Sequence, residues 1–159
     1  MHAILDILES DARTPPSLIA ERLGMPEEAV RKQIADWERT GVIRRYKTIV
    51  DREALGDDRV VAYIDVAVTP ERGAGFDAVA SRIARFPEVT SVALVSGGHD
   101  LRVVVEGASI RAVSAFVAER LATLDRVTGT NTHFELKRYK HDGDLLIESE
   151  ADQRLVVTP

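Results

Sequence analysis

Two alternating apolar runs, Val89 to Ser96 and Leu101 to Glu106, are separated only by Gly97-Gly98-His99-Asp100. Strands this close in sequence reverse and pair as a hairpin. A Gly-Gly turn allows it, because glycine takes positive φ without steric cost. The hairpin then constrains its neighbours. Upstream, Val60 to Val68 alternates and is rich in β-branched residues, the pattern of a strand. Between it and the hairpin, Phe76, Val79, Ala80, Ile83 and Phe86 recur at spacings of three and four. That periodicity predicts a helix over residues 75–86, stopped by Pro87. Downstream, Ser109 is placed to cap a helix over 109–124, whose apolar stripe is Ile110, Val113, Phe116, Val117, Leu121 and Leu124. A final strand is expected over 127–139. The order β-α-β-β-α-β is the ferredoxin-like split pattern, and the fold class expected for the whole chain is α+β. A weak internal echo, Phe86-Pro87-Glu88-Val89-Thr90 against Leu124-Asp125-Arg126-Val127-Thr128, places both helix-to-strand handovers.

Two helices on one face of a four-stranded sheet leave the other face uncovered. Large exposed apolar patches are rare on monomers. A homodimer packed sheet on sheet is therefore expected, with Leu94, Val103 and Val105 among the residues seeking cover.

The first 50 residues read differently. Ile4, Leu5, Ile7 and Leu8 mark a short helix over 2–12. Thr14-Pro15-Pro16-Ser17 breaks it, with Thr14 expected as the next cap. Leu18, Ile19, Ala20 and Leu23 then form a short apolar face that ends at Gly24, a left-handed cap position. After Met25-Pro26 a third helix begins with Glu27 and Glu28 at its positive end and buries Val30, Ile34 and Trp37. Three short helices with a tight turn between the second and third make a helix-turn-helix. Gly41 to Val50 is strand-like with Arg44, Arg45 and Lys47 interleaved, the pattern of a wing. A three-helix dimerisation module is the alternative for the helices alone. The domains expected are 1–50, a linker over 51–59, a second domain over 60–140 and an acidic tail over 141–159.

Charge sharpens the division. The net charge of −5 is concentrated at the end: residues 141–159 hold one basic and five acidic residues, whereas residues 26–47 hold six basic and four acidic. A weak local basic bias permits nucleic-acid contact despite an acidic whole. The absence of cysteine excludes disulfides, thiolate catalysis and cysteine-based zinc sites and fits the cytoplasm. Neither a membrane span nor a signal leader is expected.

A winged helix followed by βαββαβ resembles the Lrp/AsnC (feast/famine) family of transcription regulators, over about residues 1–140. The resemblance rests on Leu18-Ile19-Ala20, Leu23-Gly24, Gly41-Val42-Ile43-Arg44 with Tyr46 and Asp51, Phe86-Pro87-Glu88-Val89, Gly97-Gly98-His99-Asp100-Leu101 and Val127-Thr128-Gly129-Thr130-Asn131-Thr132. It implies a winged helix-turn-helix followed by a ferredoxin-like (RAM-type) domain that dimerises, assembles further, often to octamers, and binds small effectors, mostly amino acids, between dimers. It implies an effector site at Gly97, Gly98, His99 and Asp100, joined by Thr130 and Thr132.

The chemistry of those residues fits. Asp100 can accept from an amine, while turn amides and threonine hydroxyls can donate to a carboxylate. Asp100 as a turn-capping residue is the structural alternative. For DNA, the expected contacts are Arg31, Lys32 and Gln33 on the third helix, with Arg44, Arg45 and Lys47 on the wing. Double-stranded DNA, a small effector and further copies of the chain are the expected partners. The chain departs from the family in Pro26, where a Ser or Thr cap is usual, and in Gln33, where a basic residue is usual. With Glu27 and Glu28 beside them, a single head is expected to bind DNA weakly, an oligomer more tightly.

Two other functions remain open at this level. One is an effector sensor whose DNA head has decayed. The other is an enzyme, since some proteins resembling this family decarboxylate a haem precursor with extra histidines and arginines. His2, His99, His133 and His141 lie far apart in sequence. No metal-ligand spacing or catalytic order is evident, so no catalytic residues, metal or cofactor are expected.

Overall fold

The computed structural model describes residues 3–70, 73 and 75–147, and the chain separates into two compact units, residues 1–50 and 51–159.

In the first unit, α1 (Ala3–Ser10), α2 (Pro16–Leu23) and α3 (Glu27–Thr40) surround a small core of Ile4, Leu8, Ile19, Ala20 and Val30. Ile34, Trp37 and Ile43 pack against its edge. The α2–α3 turn follows from Gly24, whose φ of 63° and ψ of 35° make it the left-handed cap of α2. The N–H of Met25 then closes back on the carbonyl of Ala20 at 3.0 Å. Thr14 does not cap α2: the cap position is Pro15, which has no side-chain acceptor.

The wing segment is not a strand. No strand ladder forms over residues 41–50, where no neighbouring strand takes its backbone hydrogen bonds. It is anchored instead by the N–H of Ile43 on the carbonyl of Trp37 at 3.1 Å and by the Tyr46 hydroxyl donating to Glu38 Oε1 at 2.8 Å.

The second unit opens with a helical turn, α4 (Arg52–Leu55), within the stretch expected as linker. Asp51 caps it, accepting from the N–H of Ala54 at 3.0 Å. The rest is β1 (Val60–Val68), α5 (Asp77–Ile83), β2 (Val89–Leu94), β3 (Leu101–Gly107), α6 (Ile110–Phe116) continuing as a π-helical turn over Val117–Leu121, and β4 (Val127–Phe134). The sheet is antiparallel throughout in the order β2-β3-β1-β4, the ferredoxin-like arrangement. One face packs on α5 and α6 through Ile64, Val66, Val79, Ile83, Leu101, Val103, Val105, Val113 and Leu121. Phe86 and Phe116 meet edge to face at 5.4 Å. Arg120 covers the Phe86 ring at 4.5 Å while donating to Glu88 Oε1. The Phe-Pro-Glu motif thereby joins helix end to strand start.

Two expectations about this unit are corrected. Val103 and Val105 do not seek cover; both have no exposed surface and lie on the helix side, whereas Leu94 is 60% exposed. The reason is strand parity: Val103 sits opposite Ile64 and Val105 opposite Ala62, both core residues. The final strand stops at Phe134 rather than reaching 139. Residues 140–141 and 144–145 form a small hairpin, β5 (Lys140–His141) with β6 (Asp144–Leu145), at the start of the expected tail. The remainder of that tail, residues 148–159, lies outside the described residues.

Candidate effector cleft and nucleic-acid surface

The turn after β2 is closed by the N–H of Val95 donating to the carbonyl of Asp100 at 2.9 Å. Gly97 sits at φ 146°, a conformation that disfavours side chains. Beside this turn lies an open cleft of about 560 Å³ lined by Asp65, Leu94, Val95, Ser96, Gly97, Gly98, His99 and Arg102. The amides of Gly97 and Gly98 donate to no acceptor among the described residues.

Of the six residues expected at an effector site, three line this cleft: Gly97, Gly98 and His99. Asp100 does not. Its carboxylate turns back to β1, where Oδ2 accepts from the N–H of Val68 at 2.8 Å, next to the irregularity at Ala67/Val68. The N–H of Asp100 donates to the carbonyl of Val66 at 3.1 Å. Asp100 is a structural clamp here. Thr130 and Thr132 lie on β4 opposite Val66 and Ile64, residues of the helix-facing side, and do not line the cleft.

Two residues that sequence reasoning missed do line it. Asp65 is the only charged residue of β1 and is 8% exposed. It faces away from the helices, opposite Arg102 on β3 and Asn131 on β4. Arg102 donates through Nε and Nη2 to Asp65 Oδ1 at 3.0 and 2.9 Å. The other carboxylate oxygen, Oδ2, has His99 Nδ1 at 3.8 Å and His133 Nε2 at 3.6 Å. The histidines, distant in sequence, thus converge on one carboxylate. Arg102's hydrogen bonds hold the Asp65 carboxyl below the usual carboxylate range, against the opposing effect of burial. The signal available in the sequence was an acid at the centre of an otherwise uncharged strand. Among the described residues no group of three or more His, Asp or Glu side chains is arranged to hold a metal ion.

A second polar group closes the same sheet at β4. The Tyr63 hydroxyl donates to Glu135 Oε2 at 2.6 Å, and Arg138 donates to both carboxylate oxygens at 2.8–3.1 Å. Burial pushes the Glu135 carboxyl up, but the bonds from Arg138 and Tyr63 outweigh it and the group lies below its usual range.

In the first unit the expected nucleic-acid residues are all exposed. Arg31 is engaged, donating Nε at 2.9 Å and Nη2 at 2.5 Å to Glu27 Oε1. The Arg44 guanidinium folds over the end of α3, close enough to Gly41 that a β-carbon there would lie 3.3 Å from Nη1. Lys32, Gln33, Arg45 and Lys47 have no partner among the described residues.

A βαββαβ sheet joined to a helix-turn-helix is the architecture of a DNA-binding transcription regulator with a ligand-binding domain. Comparison with known proteins finds the same two parts. Residues 61–145 match the Lrp/AsnC ligand binding domain and residues 2–44 a winged helix-turn-helix DNA-binding domain. The uncharacterized HTH-type transcriptional regulator YugG of Bacillus subtilis is 47% identical over 157 residues, 98% of this chain and 95% of that protein. Two solved structures from Mycobacterium tuberculosis are each 25% identical. The leucine response regulatory protein LrpA superposes with a TM-score of 0.73 over 92% of this chain and 97% of that one. A feast or famine regulatory protein complexed with L-methionine does so with a TM-score of 0.71 over 92% and 96%. The chain belongs to the Lrp/AsnC family of transcription regulators. No helix among the described residues is long and apolar enough to cross a membrane.

Proposed function

We propose that the cleft beside Gly97 and Gly98 takes an amino acid and that its occupancy alters DNA binding by the helix-turn-helix. The observation that carries this is the pairing of opposite charges at the cleft wall. Asp65 Oδ2, the oxygen Arg102 leaves open, accepts from a ligand ammonium. Arg102, more than half exposed, and the unengaged amides of Gly97 and Gly98 donate to its carboxylate. His99 stands at the side of the cleft and bears on which side chain is admitted. The L-methionine bound in the related regulator supports an amino acid as the ligand class. Thr130 and Thr132 join such a site only from a neighbouring subunit, in keeping with an oligomer of dimers. DNA contact falls to Arg31, Lys32, Gln33, Arg45 and Lys47, with Arg44 swinging out from Gly41. Location in the cytoplasm and a non-enzymatic role go with this reading.

The test is a thermal-shift screen over the amino acids, repeated on Arg102→Ala. A ligand that binds only the folded protein stabilises it by mass action. One or a few amino acids should raise the transition temperature of the wild type and not of the variant. No shift with any amino acid, or equal shifts in both proteins, contradicts the assignment. The convergence of His99, His133 and Arg102 is the one observation favouring the decarboxylase alternative, and a new absorbance band after incubation with sirohaem would support that instead.

A further inference from the structure

The basic residues expected to meet DNA from α3 are not equivalent. Lys32 is exposed and without a partner among the described residues, a point charge suited to phosphate. Arg31 is held. Its Nε–H and one Nη2–H both go to a single oxygen of Glu27, one helical turn earlier. Glu placed N-terminal to its cation at this spacing is the favoured orientation. Both side chains are substantially exposed, 58% for Arg31 and 42% for Glu27. An ion pair of that kind adds little to stability, which directs attention to what it does to the guanidinium.

Guanidinium has five N–H bonds in a rigid fork. With the Nε edge occupied by Glu27, the end-on edge remains free: the outer hydrogens of Nη1 and Nη2, parallel and in plane. That edge matches O6 and N7 of guanine, the commonest specific contact in the major groove. In a helix-turn-helix the N-terminal part of the second helix is the part that reaches base edges, and Arg31 lies in the second turn of α3. We propose that Arg31 reads a guanine in each half-site and that Glu27 is its positioning residue. Glu27 fixes the fork before binding, so less rotamer freedom is lost when the base is engaged. The unfavourable carboxylate at the duplex surface is thus exchanged for discrimination: it weakens attachment to DNA in general and sharpens the choice of sequence. The proposal rests on DNA binding by this helix.

The experiment is enrichment of preferred sites from a random duplex library by the full-length protein, followed by binding measurements on the selected site and on variants of it. The wild type should enrich one guanine at a fixed place in each half-site, and changing that base should weaken binding about fivefold or more, as for a bidentate contact. Arg31→Lys, with no fork, should lose the preference. Glu27→Ala should lose most of it while binding unrelated DNA more tightly, because a negative charge has gone. Glu27→Gln, which keeps an acceptor for Nε and Nη2, should restore most of the preference. Glu27→Ala with undiminished guanine preference, or Arg31→Lys with the same base preference as the wild type, overturns the proposal alone. A wild type that retains no duplex at any salt concentration overturns the DNA-binding reading as well.

Discussion

Asp100 Oδ2 accepts a hydrogen bond of 2.8 Å from the backbone N–H of Val68, so the residue that closes the Gly-Gly turn also clamps the end of β1. Removing the carboxylate leaves the amide of buried Val68 without a partner, a cost of about 1–3 kcal/mol. Asp100→Ala should therefore destabilise the second unit by that amount in urea unfolding, and Asp100→Asn, which keeps an acceptor oxygen, by less than half of it. Loss of an effector response in Asp100→Ala without loss of stability would show that the carboxylate contacts ligand rather than backbone.

Asp65 and Glu135 give the second unit its expected response to acid. Both carboxyls are held below their unfolded values, Asp65 by Arg102 and Glu135 by Arg138 and Tyr63. A depressed carboxyl contributes stability that is present above its unfolded pKa, about 4, and is lost as pH falls through the lower folded value. Thermal unfolding should therefore be nearly flat from pH 7 to about pH 5 and fall steeply below about pH 4. Asp65→Asn should lower the plateau but flatten the acid limb. An unchanged acid limb in both Asp65→Asn and Glu135→Gln would show that other carboxylates control it.

Ile19 is fully buried in the small core of the helix-turn-helix, which shares no member with the core of the second unit. Ile19→Ala should cost about 2–4 kcal/mol in that unit. Differential scanning calorimetry should show the transition of residues 1–50 shifted down while that of residues 51–159 stays in place. DNA binding should fail at a temperature where the second unit remains folded.

Arg45 and Lys47 are exposed and unpaired among the described residues. If each neutralises one phosphate, replacing both by Ala should reduce the slope of log K against log salt by about 1.8, at roughly 0.9 per contact. Affinity should fall for all sequences alike. An unchanged slope would show that the segment after α3 does not touch the backbone of DNA.

How far the sequence foretold this molecule depended on whether the information was local. The three-and-four spacing of Val79 and Ile83 and of Val113 and Phe116 reflects one helix face each, and a helix lies at both places. However, α5 is shorter than residues 75–86, the second helix changes to a π-helical turn after Phe116, and Ile110 is exposed rather than part of the packed face. The parity of β3 was also present, since Arg102 and Glu106 alternate with Leu101, Val103 and Val105. Reading the apolar set as the uncovered one inverted it. The cluster around Asp65 was out of reach because it is made by pairing across the sheet: Arg102 arrives on β3, 37 positions along the chain from Asp65, and His133 on β4, 68 positions along. The particular backbone partner of Asp100 was out of reach for the same reason, since the Val68 amide lies thirty-two positions away. The wing looked like a strand because basic residues are interleaved among Val42, Ile43, Tyr46, Ile49 and Val50, while strand pairing, which composition does not encode, is missing among the described residues.

One small molecule, bound by the second unit, should change how the first holds DNA. Fluorescence anisotropy of the full-length protein on a labelled duplex from its own upstream region, at fixed salt, with and without each amino acid, measures this. Coupling between two sites of about 1–3 kcal/mol corresponds to a change in Kd of roughly 5- to 150-fold. A shift of that size is expected for at least one amino acid, abolished in Arg102→Ala. Tight binding whose Kd no amino acid alters would contradict it.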